Sequence, residues 1–443
     1  MAVKIGILKE TKNQWESRIP LTPDQIAKLQ SENPHLQFVI MPSEQRVFGE
    51  KEFTDLNIEI ADDLEETPII LGVKEVPIPY LRPRKTYLFF SHTIKGQAYN
   101  MPMLQRILDD EATLIDYELI KDDSGRRLVF FGRHAGMAGM IDSLWSLGQR
   151  WQAEGLETPL AQLKTAKDYG HSDEIKSVLQ LLSEGLPDFL KTIPPVIVGF
   201  TGYGNVSKGA QEIFDILPHE EIEPDDLPGV AARKSANRLY KVVFKEEHLV
   251  RPRHYDGKFN LQEYYQFPER YVSIFDQYTP FLTVLVNCIY WDTIYPRLVT
   301  KHDIWKLYRN NPKLKVIGDI SCDIEGAIEC NVGATDSGDP VYVYLPEEDR
   351  RQMGVEGRGP VIMAVDNLPT ELPRESSRAF GEALMPFIPA LAKCDYSKPF
   401  EELSLPPELK RAVITHQGRL TPDFEYLANY LETDRHTIGF FNG

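Results

Sequence analysis

The sequence predicts an α/β protein of more than one domain, and three observations predict it. Short apolar runs alternate with amphipathic stretches from Val3 to Phe131, the pattern of strands joined by crossover helices. A strand, tight turn and helix follow in mid-chain between Pro195 and Gln211, carrying Gly202-x-Gly204 and then Gly209-Ala210. The 443 residues suffice for two or three domains with cores of their own.

Residues 3–8 read as a strand. Thr22-Pro-Asp-Gln25 starts a helix, with Thr22 as cap, Pro23 in the first turn and Gln25 closing a capping box. Residues 37–41, 68–73, 86–90 and 113–116 read as further strands, and 100–109 as a helix. The turn Asp122-Asp-Ser-Gly125 leads into a strand at 127–131. Residues 135–147 form a long helix with small residues on one side, which leaves the first domain and enters the second. Residues 196–200 open the dinucleotide unit, and 281–287, 315–320 and 361–365 are later strands. The charged, aromatic-rich stretch 224–276 has no strong period and reads as a surface subdomain. Beyond Pro373 the chain is helical again, at 379–391 and 422–431.

Composition narrows the function. The net charge is −17, with no basic stripe or tail, which argues against a nucleic-acid or anionic-membrane partner. The four cysteines, Cys288, Cys322, Cys330 and Cys394, form no CxxC pair, and no HExxH is present. No metal site is expected. Cysteines so few and scattered fit a reducing compartment, and a cytoplasmic location is expected. Residues 1–8 read directly as a strand, so no leader is expected, and no apolar run is long enough to span a bilayer.

The glycine turn points to a dinucleotide. Gly202 and Gly204 allow a sharp turn and close approach of backbone to a pyrophosphate, which sits on the N–H groups of the new helix. Asn205 and Val206 complete the turn. The third glycine comes late for a G-x-G-x-x-G fingerprint, at Gly209. Glu223 closes a short segment, Glu220-Glu-Ile-Glu223, at about the ~20-residue spacing where an acid binds a ribose hydroxyl.

Several segments occur together in one order: Arg18-Ile-Pro-Leu-Thr-Pro23, Ile70-Leu-Gly-Val-Lys-Glu75, Phe90-Ser-His-Thr-Ile-Lys95, Leu114-Ile-Asp-Tyr-Glu118, Ala135-Gly-Met-Ala-Gly-Met140, the glycine turn, Asn287-Cys-Ile-Tyr-Trp291 and Asp366-Asn-Leu-Pro369. With them the chain resembles the lysine–2-oxoglutarate reductase portion of bifunctional aminoadipic semialdehyde synthases. More distantly it is similar to lysine-forming saccharopine dehydrogenase, alanine dehydrogenase and transhydrogenase. The resemblance implies a substrate domain of residues 1–134 and 365–443, and a Rossmann-type NAD(P)-binding domain of residues 135–364 that contains the 224–276 insertion. It implies an active site in the cleft between them, and a stand-alone reductase lacking the saccharopine-oxidising half.

The implied reaction joins the ε-amine of lysine to the keto carbon of 2-oxoglutarate. A carbinolamine loses water to an imine, which a reduced nicotinamide converts to saccharopine. This chemistry needs a base to free the amine, an acid for the departing hydroxyl and cations for the carboxylates. The resemblance assigns the proton transfers to Lys74 and His92, each just past an apolar strand. Glu75 and Glu118 modulate these groups or bind the substrate ammonium. Lys12, Arg18, Lys95 and Arg127 take the carboxylates, and Phe131 packs on the substrate's aliphatic chain. Cys288 and Asp366 lie toward the nicotinamide. The cofactor is NADPH or NADH: an acid at Glu223 favours NADH, whereas whole-chain resemblance leans to NADPH. The partners are small molecules, lysine, 2-oxoglutarate and saccharopine, and an oligomer is compatible with the sequence. Two alternatives are an alanine dehydrogenase-like enzyme using ammonia, and a dinucleotide-binding protein without catalysis.

Overall fold

In the computed structural model, which describes residues 2–254, 257–310 and 312–431, the alternating runs become two eight-stranded sheets. Each sheet belongs to a compact unit. One unit is built from the residues up to Phe131 and from Pro373 onward, the other from Gly132–Leu372. The breaks fall at 131/132 and 372/373, against the expected 134/135 and 364/365.

The first unit contributes β1 (Val3–Ile7), β2 (Leu36–Ile40), β3 (Glu59–Ile60), β4 (Ile69–Leu71), β5 (Thr86–Phe89) and β6 (Thr113–Asp116). They pair in parallel in the order β3-β2-β1-β4-β5-β6. The central strands are apolar on both faces, as parallel strands covered by helices require. Ile5, Ile7, Ile69, Ile70, Leu71, Leu88 and Phe89 are all buried. The helix Pro23–Glu32 starts on its capping box, with the Thr22 N–H donating to Gln25 Oε1 at 2.9 Å.

The second unit begins with the helix Gly132–Ala153. Its strands are β7 (Ile197–Thr201), β8 (His219–Glu221), β9 (Leu239–Phe244), β10 (Val250–Pro252), β11 (Tyr271–Ser273), β12 (Val284–Asn287), β13 (Val316–Asp319), β14 (Val341–Leu345), β15 (Arg350–Met353) and β16 (Val361–Met363). The sheet order is β8-β9-β7-β12-β13-β16-β14-β15; the first six run parallel, and β14 and β15 are antiparallel additions. β10 and β11 form a separate antiparallel pair.

The stretch 224–276 is therefore more than a surface subdomain, because it supplies β9, an internal strand between β7 and β8. Lys241 breaks the apolar run of β9, yet it is buried, with its amine on Asp215 at 2.8 Å and Glu221 at 3.2 Å. The late glycine also has a physical cause. A β-carbon on Gly209 would come within 2.0 Å of the Arg133 carbonyl oxygen, and one on Gly136 within 1.9 Å of the Val206 carbonyl oxygen. Gly209 thus lets the helix Asn205–Phe214 press against the long helix Gly132–Ala153.

The chain then returns to the first unit. The expected helix at 379–391 is split into Pro373–Leu384 and Ile388–Lys393 by the 3₁₀ turn Met385–Phe387. Pro386 and Pro389 lack the N–H donors that a continuous helix needs. β17 (Val413–His416) pairs antiparallel with β6, and β18 (Arg419–Leu420) with β17. The strand expected at 127–131 does not form: an isolated bridge joins Lys121 and Arg127, and β17 fills the place beside β6. Residues 422–427 of the expected last helix are a 3₁₀ segment, Pro422–Leu427. Among the described residues no helix is long and apolar enough to cross a membrane.

Candidate active site

The order of the first sheet reverses between β1 and β4. The chain runs outward through β2 and β3, then returns to lay β4, β5 and β6 on the other side. Such a reversal leaves a crevice at the carboxyl ends of the strands. Glu10 and Lys12 follow β1 there, Lys74 and Glu75 follow β4, His92 follows β5, and Asp116 ends β6.

Glu75 is the hub of this cluster. Its Oε1 accepts from Lys12 Nζ at 3.0 Å and lies 2.8 Å from His92 Nδ1, with Asn100 Nδ2 at 3.5 Å. Its Oε2 is buried without a hydrogen-bond partner among the described residues. Burial pushes the Glu75 carboxyl up, but the hydrogen bond and charge of His92, with a further bond from Lys12, bring it down to about 2. Glu75 is therefore a fixed negative charge at neutral pH.

Two other carboxyls pin the turns that carry Lys74 and His92. Glu10 accepts the Val73 N–H at 2.6 Å on one oxygen and the Lys74 N–H at 3.0 Å on the other. Burial, and then the neighbouring Glu16, push its carboxyl up to about 7. Asp116 accepts from the Ser91 N–H at 3.0 Å and the Ser91 hydroxyl on Oδ2, and from the Glu118 N–H at 2.8 Å on Oδ1. Burial pushes Asp116 up to about 6 against these bonds. His92 itself has φ +48°, a left-handed conformation that costs a residue with a β-carbon about 1 kcal/mol or more. Asn100 Nδ2 helps to hold it there by donating to the Ser91 and His92 carbonyls at 3.0 and 3.3 Å. The His92 ring stacks on Phe90 at 6.3 Å.

The remaining expected residues are differently disposed. Arg18 has a different partner from the substrate carboxylate assigned to it. It is buried, donates to the two oxygens of Glu16 at 2.7 and 2.6 Å, and lies 4.1 Å from the Phe131 ring centre. That pair engages the Nε and Nη2 side of the guanidinium. Phe131 in turn stacks on Phe380 at 4.5 Å. Arg127 is exposed and donates to Glu118, and Lys95 is exposed. Sequence reasoning missed Glu10, Glu16, Asn100 and Asp116; the one available signal was an acid closing the otherwise apolar strand Thr113–Asp116.

The second sheet reverses between β7 and β12, and the glycine turn lies at that point. Gly202 has φ +79°, which favours glycine, and a β-carbon on Gly204 would meet nothing within 4 Å. Gly204 caps the helix Asn205–Phe214, with Asn205 and Val206 in its first turn. A pocket of about 320 Å³ opens here, lined by Gly202, Gly204, Glu246, Cys288 and the rings of Tyr203, Tyr264, Tyr265, Tyr290, Trp291 and Tyr295. Beneath it runs a buried polar chain. Thr201 Oγ1 donates to Asn287 Oδ1 at 2.8 Å, Asn287 Nδ2 to Asp319 Oδ1 at 2.8 Å, Asn331 Nδ2 to Asp319 Oδ2 at 2.8 Å, and the Tyr342 hydroxyl to Asn331 Oδ1 at 2.9 Å. The Cys288 N–H closes it on Thr201 Oγ1 at 3.2 Å, and burial pushes the Cys288 thiol up.

Glu223 lies farther from the turn in the sheet than its spacing suggests. It follows β8, which is the edge strand, so β9 stands between it and the glycine turn. The spacing rule presumes that the first strand after the glycine-turn helix pairs with β7, and here the next one does. The acid just past β9 is Glu246, and it lines the pocket. Asp366 is exposed beyond the end of β16 and is not among the residues lining that pocket. Among the described residues no cluster of His, Cys, Asp and Glu is arranged to hold a metal.

The comparisons with known proteins agree with this architecture. Residues 6–138 match the N-terminal domain, and residues 293–423 the C-terminal domain, described as alanine dehydrogenase/PNT. The chain is 38% identical to alpha-aminoadipic semialdehyde synthase of Arabidopsis thaliana over 96% of its own length and 41% of that protein's. It is 27% identical to saccharopine dehydrogenase [NAD(+), L-lysine-forming] of Schizosaccharomyces pombe, over 89% of this chain and 95% of that one. The chain thus spans less than half the length of the semialdehyde synthase that it matches. A solved L-alanine dehydrogenase shares the fold, with a TM-score of 0.61 at 15% identity over 97% of this chain and 100% of its own. With both domain models matched in order along one chain, the protein belongs to the alanine dehydrogenase/PNT family.

Proposed function

We propose that this protein is a lysine–2-oxoglutarate reductase, condensing the lysine ε-amine with the keto carbon of 2-oxoglutarate and reducing the imine to saccharopine. The observation that carries the reading is the Lys12–Glu75–His92 cluster beside Lys74, at the β1/β4 reversal. Glu75 fixes His92 through Nδ1 and leaves Nε2 for a proton delivered to the departing hydroxyl. Its negative charge favours the ammonium form of an amine arriving beside it. Lys74 takes the amine proton and forms no Schiff base. Lys12 and Lys95 bind substrate carboxylates, and Arg127 does so by exchanging Glu118 for the ligand.

The pocket at the glycine turn fits a nicotinamide dinucleotide. Gly202, Gly204, Asn205 and Val206 would hold the pyrophosphate, and the open space at Gly204 supports close approach. When bound, the reduced cofactor supplies the hydride. Glu246, in the place first given to Glu223, favours NADH, because a carboxylate at the ribose repels a 2′-phosphate. This replaces the lean to NADPH.

The test is oxidation of NADH with 2-oxoglutarate and, in turn, lysine, ornithine or ammonia. Turnover is expected with lysine. Turnover with pyruvate and ammonia but none with lysine replaces this reading by an alanine dehydrogenase-like one. No turnover with any donor, despite dinucleotide binding, leaves a non-catalytic binding protein.

A further inference from the structure

The stretch between β8 and β12 builds one wall of the pocket at the glycine turn, and its side chains bear on Glu246. Tyr265, in the helix Leu261–Gln266, donates its hydroxyl to Glu246 Oε1 at 2.6 Å. Tyr203, inside the turn, lines the same pocket as Glu246, and burial, and then the charge of Glu246, raise its phenol above its ordinary value. The helix is held by its neighbour Tyr264, which is buried with its ring 5.3 Å from that of Tyr271 and 5.5 Å from that of Tyr295. Tyr203 and Tyr265 are each about half exposed, at 46% and 47%, so their hydroxyl ends border the pocket and not the core.

We infer that the 224–276 stretch is a cofactor-selecting element, in which Tyr265 holds the Glu246 carboxylate in the dinucleotide pocket and so admits a free ribose diol and rejects a 2′-phosphate. A glutamate on the surface rotates freely and can swing away from an approaching anion. A phenol bond to Oε1 removes that freedom and leaves Oε2 to accept from ribose hydroxyls. Lys245, the adjacent cation, is exposed, so it screens the carboxylate little. The inference rests on the dinucleotide reading of the pocket and is independent of lysine chemistry.

The experiment is fluorescence titration of the whole chain with NADH and with NADPH, with no amine or keto acid present. The unmodified chain should bind NADH at least about tenfold more tightly. Tyr265→Phe should narrow that ratio several-fold, Tyr203→Phe less, and Glu246→Gln should bring it to within about threefold. Equal or tighter binding of NADPH by the unmodified chain overturns the inference. So does a Tyr265→Phe chain that binds both dinucleotides at the original ratio. If Tyr265→Phe fails to fold, Glu246→Gln reads the carboxylate itself, and an unchanged ratio there overturns the inference. A chain that shows the ratio but does not turn over lysine loses the reductase reading and keeps this one. A chain that turns over lysine without preferring NADH does the reverse.

Discussion

At both sheet reversals the chain leaves a crevice at the ends of parallel strands, and the two are furnished in opposite ways. At β7/β12 the polar groups beneath the crevice form a closed chain from Thr201 through Asn287 and Asp319 to Asn331 and Tyr342, in which both Asp319 oxygens have partners. Above it lie glycine backbone and aromatic rings. At β1/β4 the polar groups face one another with capacity to spare: Glu75 keeps an unmet buried oxygen, and three carboxyls are driven apart, Glu75 to about 2, Asp116 to about 6 and Glu10 to about 7. A closed buried network stiffens a scaffold. An open one, with its pKa values spread, suits proton transfer.

The largest effects should separate these two kinds of site. Lys74→Met and His92→Gln should each lower kcat by roughly 10²–10⁴-fold, with the double variant less than additive, because both act on one proton inventory. Their melting temperatures should change little. Full kcat in either single variant across the pH range removes that residue from the chemistry. Asp319→Ala should do the opposite. It strands two amide donors, at about 1–3 kcal/mol each, so urea unfolding should show a loss of about 2–5 kcal/mol. A stable Asp319→Ala chain would mean that the closed network is not the scaffold.

A finer division is available among the glycines. Gly209→Ala places a β-carbon 2.0 Å from a carbonyl oxygen, and overpacking of this kind costs about 1–3 kcal/mol or more. Gly204→Ala meets open space, so the fold should persist while NADH affinity falls about tenfold as the pyrophosphate is held off. Calorimetry and titration read the two effects separately. If Gly204→Ala melts early, or Gly209→Ala loses only affinity, the roles of the two glycines are reversed.

What the sequence disclosed follows the range of the forces involved. Local backbone demands were legible: β6 has its expected bounds, Thr113–Asp116, and Thr22 caps its helix. The glycine turn was equally plain, since Gly202 needs φ above zero. Hidden were the features set by pairing across space. β9 was invisible because Lys241 interrupts it, and only Asp215 and Glu221, brought near by the fold, make that lysine tolerable. Glu223 was placed at the ribose by its spacing alone, which takes sequence order for sheet order, whereas β9 stands between β8 and the glycine-turn strand. The buried Arg18–Glu16 pair was not legible either, because nothing in Glu16-Ser-Arg18 distinguishes it from two solvated charges. Glu10 holds the N–H groups of Val73 and Lys74 and Asp116 that of Ser91, partners far along the chain that no motif encodes.

Glu10 gives the smallest and most specific test of the spread of carboxyl pKa values. Its carboxyl titrates near 4.5 in the unfolded chain and at about 7 in the folded one. Between those values the folded chain keeps a proton that the unfolded chain has released. The stability from this group is therefore complete below pH 4.5 and is lost as the pH rises through 7. Glu75 has the opposite sign and another window: its contribution is present above 4.5 and lost as the pH falls toward 2. Glu10→Gln abolishes the first effect and leaves the second, along with the titration of Asp116 and Asp319, in place. Between pH 5 and pH 8 the urea midpoint of the unmodified chain should fall more than that of the Gln variant. The difference is about 1–2 kcal/mol once partial exposure is allowed for. At the same time the variant should lose about tenfold in kcat with little change in KM, because the amide has one acceptor oxygen for the two N–H groups of Val73 and Lys74. Parallel pH slopes for the two proteins would show that Glu10 does not titrate in that range, and an unchanged kcat that its grip on the Lys74 turn does not matter for proton transfer.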